Sequence, residues 1–183
     1  MTSNFALRQV AQVIGNGGVV AYPTESIWGL GCNPFDAAAV ESLLWLKQRP
    51  IHKGLIVLVD HLPAAIAARL NTAQKKQLCD SWPGPNTWLV PNCDVFSDWI
   101  TGGSDEVALR HTAHAPAAKL CTAAGGALVS TSANITGSLP CRAQWQVQKH
   151  FGSQLSAVLS GPLGNNKQPT TIRRLLTGET LRD

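Results

Sequence analysis

Charge is scarce in this chain: Asp, Glu, Lys and Arg together make up 14% of 183 residues, against 44% hydrophobic. Such a balance excludes a disordered acidic or basic tail and predicts a chain that buries a core of its own. Its length suits a single domain over residues 1–183. The fifteen Lys and Arg exceed the eleven Asp and Glu by four, which permits anionic partners without the charge density of a histone-like binder. Long apolar runs are also missing. The most apolar stretches, Gly54 to Val59 and Ala64 to Leu70, fall far short of the roughly 20 residues that a membrane helix needs, so no membrane partner is expected. The N-terminal residues lack a basic segment followed by an apolar one, which argues against a secretory leader. Five cysteines, at positions 32, 79, 93, 121 and 141, are odd in number and never closer than fourteen residues, which fits neither a disulfide framework nor a zinc ribbon. A reducing cytoplasm is the expected setting.

Two common nucleotide signatures are absent as well. Gly29-Leu-Gly31 lacks the third glycine of a dinucleotide fingerprint, and no G-x-x-x-x-G-K-[ST] loop occurs. The five histidines are dispersed, and the close pair His111 and His114 has no neighbouring cysteine or acidic ligand, so no protein-held metal is expected. Without a Gly-x-Ser-x-Gly elbow, a nucleophilic serine is not expected either.

What is present alternates. Apolar residues from Phe5 to Ile14 recur at helical spacing and stop at Gly15-Asn-Gly-Gly. Val19 to Tyr22 reads as a short buried strand ending at Pro23, and Thr24 to Gly31 as a glycine-bearing loop. Asp36 is the N-cap expected for a helix carrying Val40, Leu43 and Leu44 and ended by Pro50. Leu55 to Val59, Thr87 to Val90, Val107 to His111 and Ala127 to Ser130 have strand length. Helical patterns run over 64–70, 72–82, 115–124 and 144–151. Strands alternating with helices predict an α/β architecture.

Two groups of residues carry chemistry. Lys47, Arg49 and Lys53 place three cations within seven residues around a helix-ending proline. A solvated helix end accounts for such a cluster, but so does a polyphosphate, for which Arg supplies a planar fork and Lys a point charge. Ser130-Thr-Ser-Ala-Asn134 leaves a buried strand with three hydroxyls and a carboxamide. It could be a turn or helix cap, or neutral hydrogen-bonding groups placed where an open α/β sheet holds a ligand.

Tyr22-Pro-Thr-Glu-Ser-Ile-Trp-Gly-Leu-Gly31, Lys47-Gln-Arg-Pro50 with Lys53-Gly-Leu, Trp82-Pro-Gly-Pro-Asn-Thr87, Arg110, and Ser130-Thr-Ser-Ala-Asn134 follow one another along the chain. In these motifs and their order the sequence, from about Val19 to Arg182, resembles the YrdC family. It departs from the family pattern at Trp28, where a smaller aromatic is common, at Asn86, where an apolar residue is usual, and at His111-Thr112. The chain also lacks the Pro-Gly that often follows the late arginine.

The resemblance implies a single-domain, twisted mixed sheet flanked by helices, with a concave basic cavity. It implies a reaction that joins L-threonine, bicarbonate or CO2 and ATP into threonylcarbamoyl-AMP and pyrophosphate, with Mg2+ accompanying the ATP. The product would serve the modification of tRNA adenosine 37, with transfer left to downstream threonylcarbamoyl-transfer proteins. On the same basis Lys47 and Arg49 would be catalytic. They would hold the ATP phosphates with Lys53, while Ser132, Asn134 and Arg182 would also bind nucleotide. Thr24, Arg110, Ser130 and Thr170 would bind threonine. Lys47 and Arg49 are both expected to face the cavity, so that removing either leaves the fold intact. Two other functions compete. One is a non-catalytic RNA-binding protein, acting on tRNA or in ribosome maturation; the other is a carbamoyl-transfer domain, which would need carbamoyl phosphate and neighbouring domains.

Overall fold

A computed structural model describes residues 3–166 and 170–182. Helix α1 (Asn4–Gly15) starts where the Ser3 hydroxyl accepts a hydrogen bond from the Ala6 amide, pairing a donor that a helix start otherwise leaves open. Next come β1 (Val20–Pro23) and β2 (Trp28–Gly31), an antiparallel hairpin. The segment expected to be loop is therefore partly strand. Its glycines weaken a strand signal, yet here they are what close packing requires. A Cβ at Gly31 would fall 2.3 Å from the Val129 carbonyl oxygen and 2.9 Å from the Tyr22 ring.

Helix α2 (Ala37–Lys47) is capped by Asp36, whose carboxylate accepts from the Ala39 amide, and it ends at Gln48 in left-handed backbone. After a turn of 3-10 helix (Ile51–Lys53) the chain continues through β3 (Ile56–Val59), α3 (Ala64–Arg69), α4 (Thr72–Ser81), β4 (Asn86–Pro91), α5 (Asp98–Thr101), β5 (Glu106–Arg110), α6 (Ala115–Ala123), β6 (Ala127–Ser132), α7 (Gln144–Phe151), β7 (Ala157–Val158), β8 (Thr171–Arg174) and β9 (Thr180–Arg182). Helix α4 opens with a reciprocal capping box between Asn71 and Gln74.

The described strands form one sheet in the order β7-β1-β2-β6-β3-β5-β4-β8-β9. The pairs β1–β7, β3–β5 and β4–β8 are parallel and the rest antiparallel. This is the α/β fold that the alternation of elements predicts, with the mixed sheet and flanking helices that the resemblance implies.

Side chains alternate between the faces of a strand, and that alternation locates the site. On one face Ala21, Leu30, Val57, Leu109 and Val129 pack against Val40 and Leu43 of α2. On the other, Val20, Tyr22, Leu58 and Leu128 pack under Leu7, Val10 and Ile14 of α1 and Leu120 of α6. Two residues along from these, Ile56 and Ser130 lie on that same second face but line a cavity instead, beside Ala108 of β5. The cavity is the part of the sheet face that α1 and α6 leave uncovered. No helix among the described residues is long and apolar enough to cross a membrane, and all five cysteines are free thiols.

Candidate active site

The cavity has a volume of about 500 Å3. Alternate residues of β5, Glu106, Ala108 and Arg110, form part of its floor beside Ser130 and Ser132 of β6. Thr24 and Glu25 from the β1–β2 turn, Arg49, His52 to Ile56, and Thr170 with Arg182 make its walls. Eight of the ten residues expected from the sequence meet here: Thr24, Arg49, Lys53, Arg110, Ser130, Ser132, Thr170 and Arg182. They come from separate regions of the chain.

Lys47 and Asn134 do not line it. The expectation that Lys47 faces the cavity is corrected by its burial, at 2% exposure. It is the last residue of a helix whose Leu43, Leu44 and Leu46 are also buried, so its stem lies in the core. The ammonium has three N–H donors and meets three oxygens: Ser132 O, Asn134 O at 2.9 Å and Asn134 Oδ1 at 3.4 Å. Burial, reinforced by the positive charge of Arg49, pushes its pKa down to about 7. Lys47 therefore fastens the 132–134 loop to α2. Asn134 in turn accepts from the Ser132 hydroxyl at 2.5 Å and donates to the Ile135 and Ser138 carbonyls.

Arg49 is partly buried and holds its own turn. Its Nε and Nη2 donate to the Gly54 carbonyl at 3.1 and 2.9 Å, and Nη2 also to the Lys53 carbonyl. Burial lowers its pKa from the usual arginine range. Lys53 is exposed at the rim. Arg182 donates twice to the Thr170 carbonyl, at 3.1 and 2.7 Å, and burial and nearby Arg110 lower its pKa. Among the described residues no carboxylate forms an ion pair with Arg49, Lys53 or Arg182.

Arg110 is different. Buried at 6% exposure, it donates from Nη1 to the Thr170 hydroxyl at 3.2 Å, and its Nη2 lies 3.5 Å from Glu25 Oε2. Thr170 is steadied by the hydroxyl of Thr87 at 3.2 Å. Thr24 closes its turn by donating to the Ile27 carbonyl at 2.8 Å.

Glu25, His52 and Glu106 also line the cavity and have no role in the sequence reading. Glu25 stands inside the Pro-Thr-Glu motif, next to Thr24, and its position there was the available signal. Glu106 accepts from Arg174 Nε at 2.8 Å, so its charge is compensated away from the hollow. The departures from the family pattern have local explanations. Trp28 is core, Asn86 bridges Thr171 and Ser81, and Thr112 bonds Glu25.

A hollow lined by cations without carboxylate partners among the described residues, by an Arg–Glu pair and by hydroxyls can hold an anion beside a small polar molecule. The fold and this pocket together make the molecule an α/β protein with a polar hollow on an uncovered stretch of its mixed sheet. The chain belongs to the Sua5/YciO/YrdC family, whose model, described as telomere recombination, matches residues 12–183. The threonylcarbamoyl-AMP synthase of Cellvibrio japonicus is 49% identical over 98% of this chain and 96% of its own length. That of Stutzerimonas stutzeri is 46% identical over 100% and 99%. The crystal structure of P. abyssi Sua5 complexed with L-threonine superposes with a TM-score of 0.89 at 29% identity, over 97% of this chain and 53% of that one. This chain thus spans about half the length of that Sua5.

Proposed function

We propose that this chain is a threonylcarbamoyl-AMP synthase, an enzyme that makes threonylcarbamoyl-AMP and pyrophosphate from L-threonine, CO2 drawn from bicarbonate, and ATP. The observation that carries the reading is the convergence in one cavity of Arg49, Lys53 and Arg182, without carboxylate partners among the described residues, with Arg110, Thr170, Ser130 and Thr24. Full-length similarity to relatives of that name supports it.

The chemistry asks for these groups. A neutral threonine amine adds to CO2, forming an N–C bond and losing a proton. The carbamate oxygen then attacks the α-phosphorus, and the bond to the β-phosphate oxygen breaks as pyrophosphate leaves. Negative charge grows on phosphoryl oxygens, which cations and preorganised donors stabilise. In this reading Arg49 is catalytic and holds the phosphates with Lys53 and Arg182. Ser132 and Asn134 form the nucleotide loop, and Lys47 positions that loop instead of touching phosphate. Arg110 takes the threonine carboxylate, with Thr24, Ser130 and Thr170 around it.

Magnesium would enter with ATP, held by phosphate oxygens and water. Among the described residues no three His, Cys, Asp or Glu side chains gather to add ligands. The 183 residues would work as one YrdC-like domain in the cytoplasm, a setting in keeping with the free thiols. The product would supply threonylcarbamoyl modification of adenosine 37 in tRNA, through separate transfer proteins.

Pyrophosphate release measured with ATP, threonine and bicarbonate, each omitted in turn, tests this reading. Release is expected only with all three present. Salt-sensitive RNA binding that ignores threonine, without pyrophosphate, would instead mark a non-catalytic RNA-binding protein.

A further inference from the structure

Glu25 stands at the Arg110 end of the cavity with no part in the reaction as described. Its side chain is 10% exposed and is held by Thr112 and Arg110, while its backbone is packed against Gly164 and Asn166. The His114 amide donates to the Thr112 hydroxyl at 3.1 Å, which leaves the hydroxyl proton to donate to Glu25 Oε1. The Asn166 amide donates to the Glu25 carbonyl at 3.1 Å. Gly164 passes so close that a Cβ there would lie 2.7 Å from that same carbonyl oxygen.

The carboxylate is fixed, but its pairing is incomplete. Glu25 Oε2 and Arg110 Nε are buried without a hydrogen-bond partner among the described residues. Leaving a buried acceptor and a buried donor open is costly, and in a native structure such groups call for a functional role or a further partner such as a water or an ion. A free amino acid supplies both partners: it brings a carboxylate for the guanidinium and an amino group for the carboxylate. A phosphate brings only negative charge, which Glu25 repels. Arg49 and Lys53, neither of which has a carboxylate partner among the described residues, give one part of the cavity wall an uncompensated positive charge, whereas Arg110 faces Glu25; Arg182, bonded to Thr170, lies beside Arg110.

We propose that Glu25 is a specificity-determining residue that reserves the Arg110 end for a zwitterionic amino acid and keeps phosphate groups away from it. The inference deepens the threonylcarbamoyl-AMP synthase reading and rests on it.

The test combines steady-state pyrophosphate release with inorganic phosphate as a competitor. In the wild type, phosphate competes with ATP and leaves the KM for threonine unchanged. Glu25→Gln keeps the shape and removes the charge. Its KM for threonine is expected to rise about tenfold or more, with the KM for ATP within about twofold of wild type, as for loss of one hydrogen bond to a charged group. Phosphate should then compete with threonine as well. Thr112→Ala is expected to move the threonine KM in the same direction by less, and Thr112→Ser to restore it. That pair carries the test if circular dichroism shows Glu25→Gln unfolded. A wild-type threonine KM without phosphate competition in Glu25→Gln overturns the proposal; should that variant be unfolded, a wild-type KM in Thr112→Ala does so. Failure of the parent reading looks different: the wild type forms no threonylcarbamoyl-AMP. Calorimetric titration of threonine into wild type and variants then tests Glu25 alone, and equal affinities contradict its role.

Discussion

The ammonium of Lys47 lies 2.9 Å from the carbonyl oxygen of Asn134, 87 residues further along the chain. With Ser132 O and Asn134 Oδ1 completing its contacts, it ties the 132–134 loop to α2. Lys47→Met keeps much of the volume and removes the donors. Denaturant unfolding is expected to show a loss of about 1–3 kcal/mol, the cost of stranding buried carbonyls, along with weaker ATP binding. Wild-type stability in this variant would show that the loop holds itself.

The same residue gives a pH dependence with a definite sign. Its pKa is about 7 in the fold against an ordinary 10.5. Between those values the unfolded chain holds the proton that the native state has begun to release. Stability contributed by Lys47 therefore rises with pH across that window. Wild type should gain on Lys47→Met from about pH 7 to about 10.5, and a flat or falling difference would contradict a depressed Lys47.

Gly31→Ala places a methyl where the Val129 carbonyl oxygen and the Tyr22 ring already stand. Overpacking of this kind costs about 1–3 kcal/mol, so thermal unfolding should show a clearly lowered midpoint. An unchanged midpoint would mean that β2 and β6 can separate freely.

Gly31 also shows why the sequence was only partly readable. Helices α1 and α2 announced themselves through Ser3 and Asp36, because an N-cap is a local event written within three or four residues. Strand β2 did not, since Gly31 matters through Val129 and Tyr22, one of them nearly a hundred residues away. Helix α5 and strand β9 are too short to show periodicity. The site followed the same rule. Motif positions named most of the cavity lining, but a lysine beside Arg49 reads as solvated. Its burial depends on α2 meeting the 132–134 loop across the fold. Glu25 lay in plain view within a motif, and its meaning needed Arg110 and Thr112 beside it.

Burial pushes the thiols of Cys32 and Cys121 up to about 12 from an ordinary 9.0. The native state keeps these protons longer than the unfolded chain does. Their contribution to stability is complete below about pH 9 and is lost as pH climbs toward 12. Denaturation series should show this alkaline decline, reduced in the Cys32→Ala, Cys121→Ala double variant. Alkylation at pH 8 should label exposed Cys79 first and spare both buried thiols until the protein unfolds. Early labelling of either would contradict their burial.

Ser132 lines the cavity and donates to Asn134 at 2.5 Å. Ser132→Ala should weaken ATP binding by about 1 kcal/mol, the worth of one neutral hydrogen bond. Identical ATP titrations for variant and wild type would remove Ser132 from the nucleotide site.

The most direct test of a cavity with a triphosphate end and an amino-acid end is a crossed kinetic comparison of Arg49→Ala and Arg110→Ala. Arg49→Ala should lower kcat and raise the KM for ATP by about tenfold or more while sparing the KM for threonine; Arg110→Ala should do the reverse to the two KM values, since each loses a charged hydrogen-bonding group at one end. Both variants moving the same substrate's KM, or neither moving any, would contradict the two-ended site.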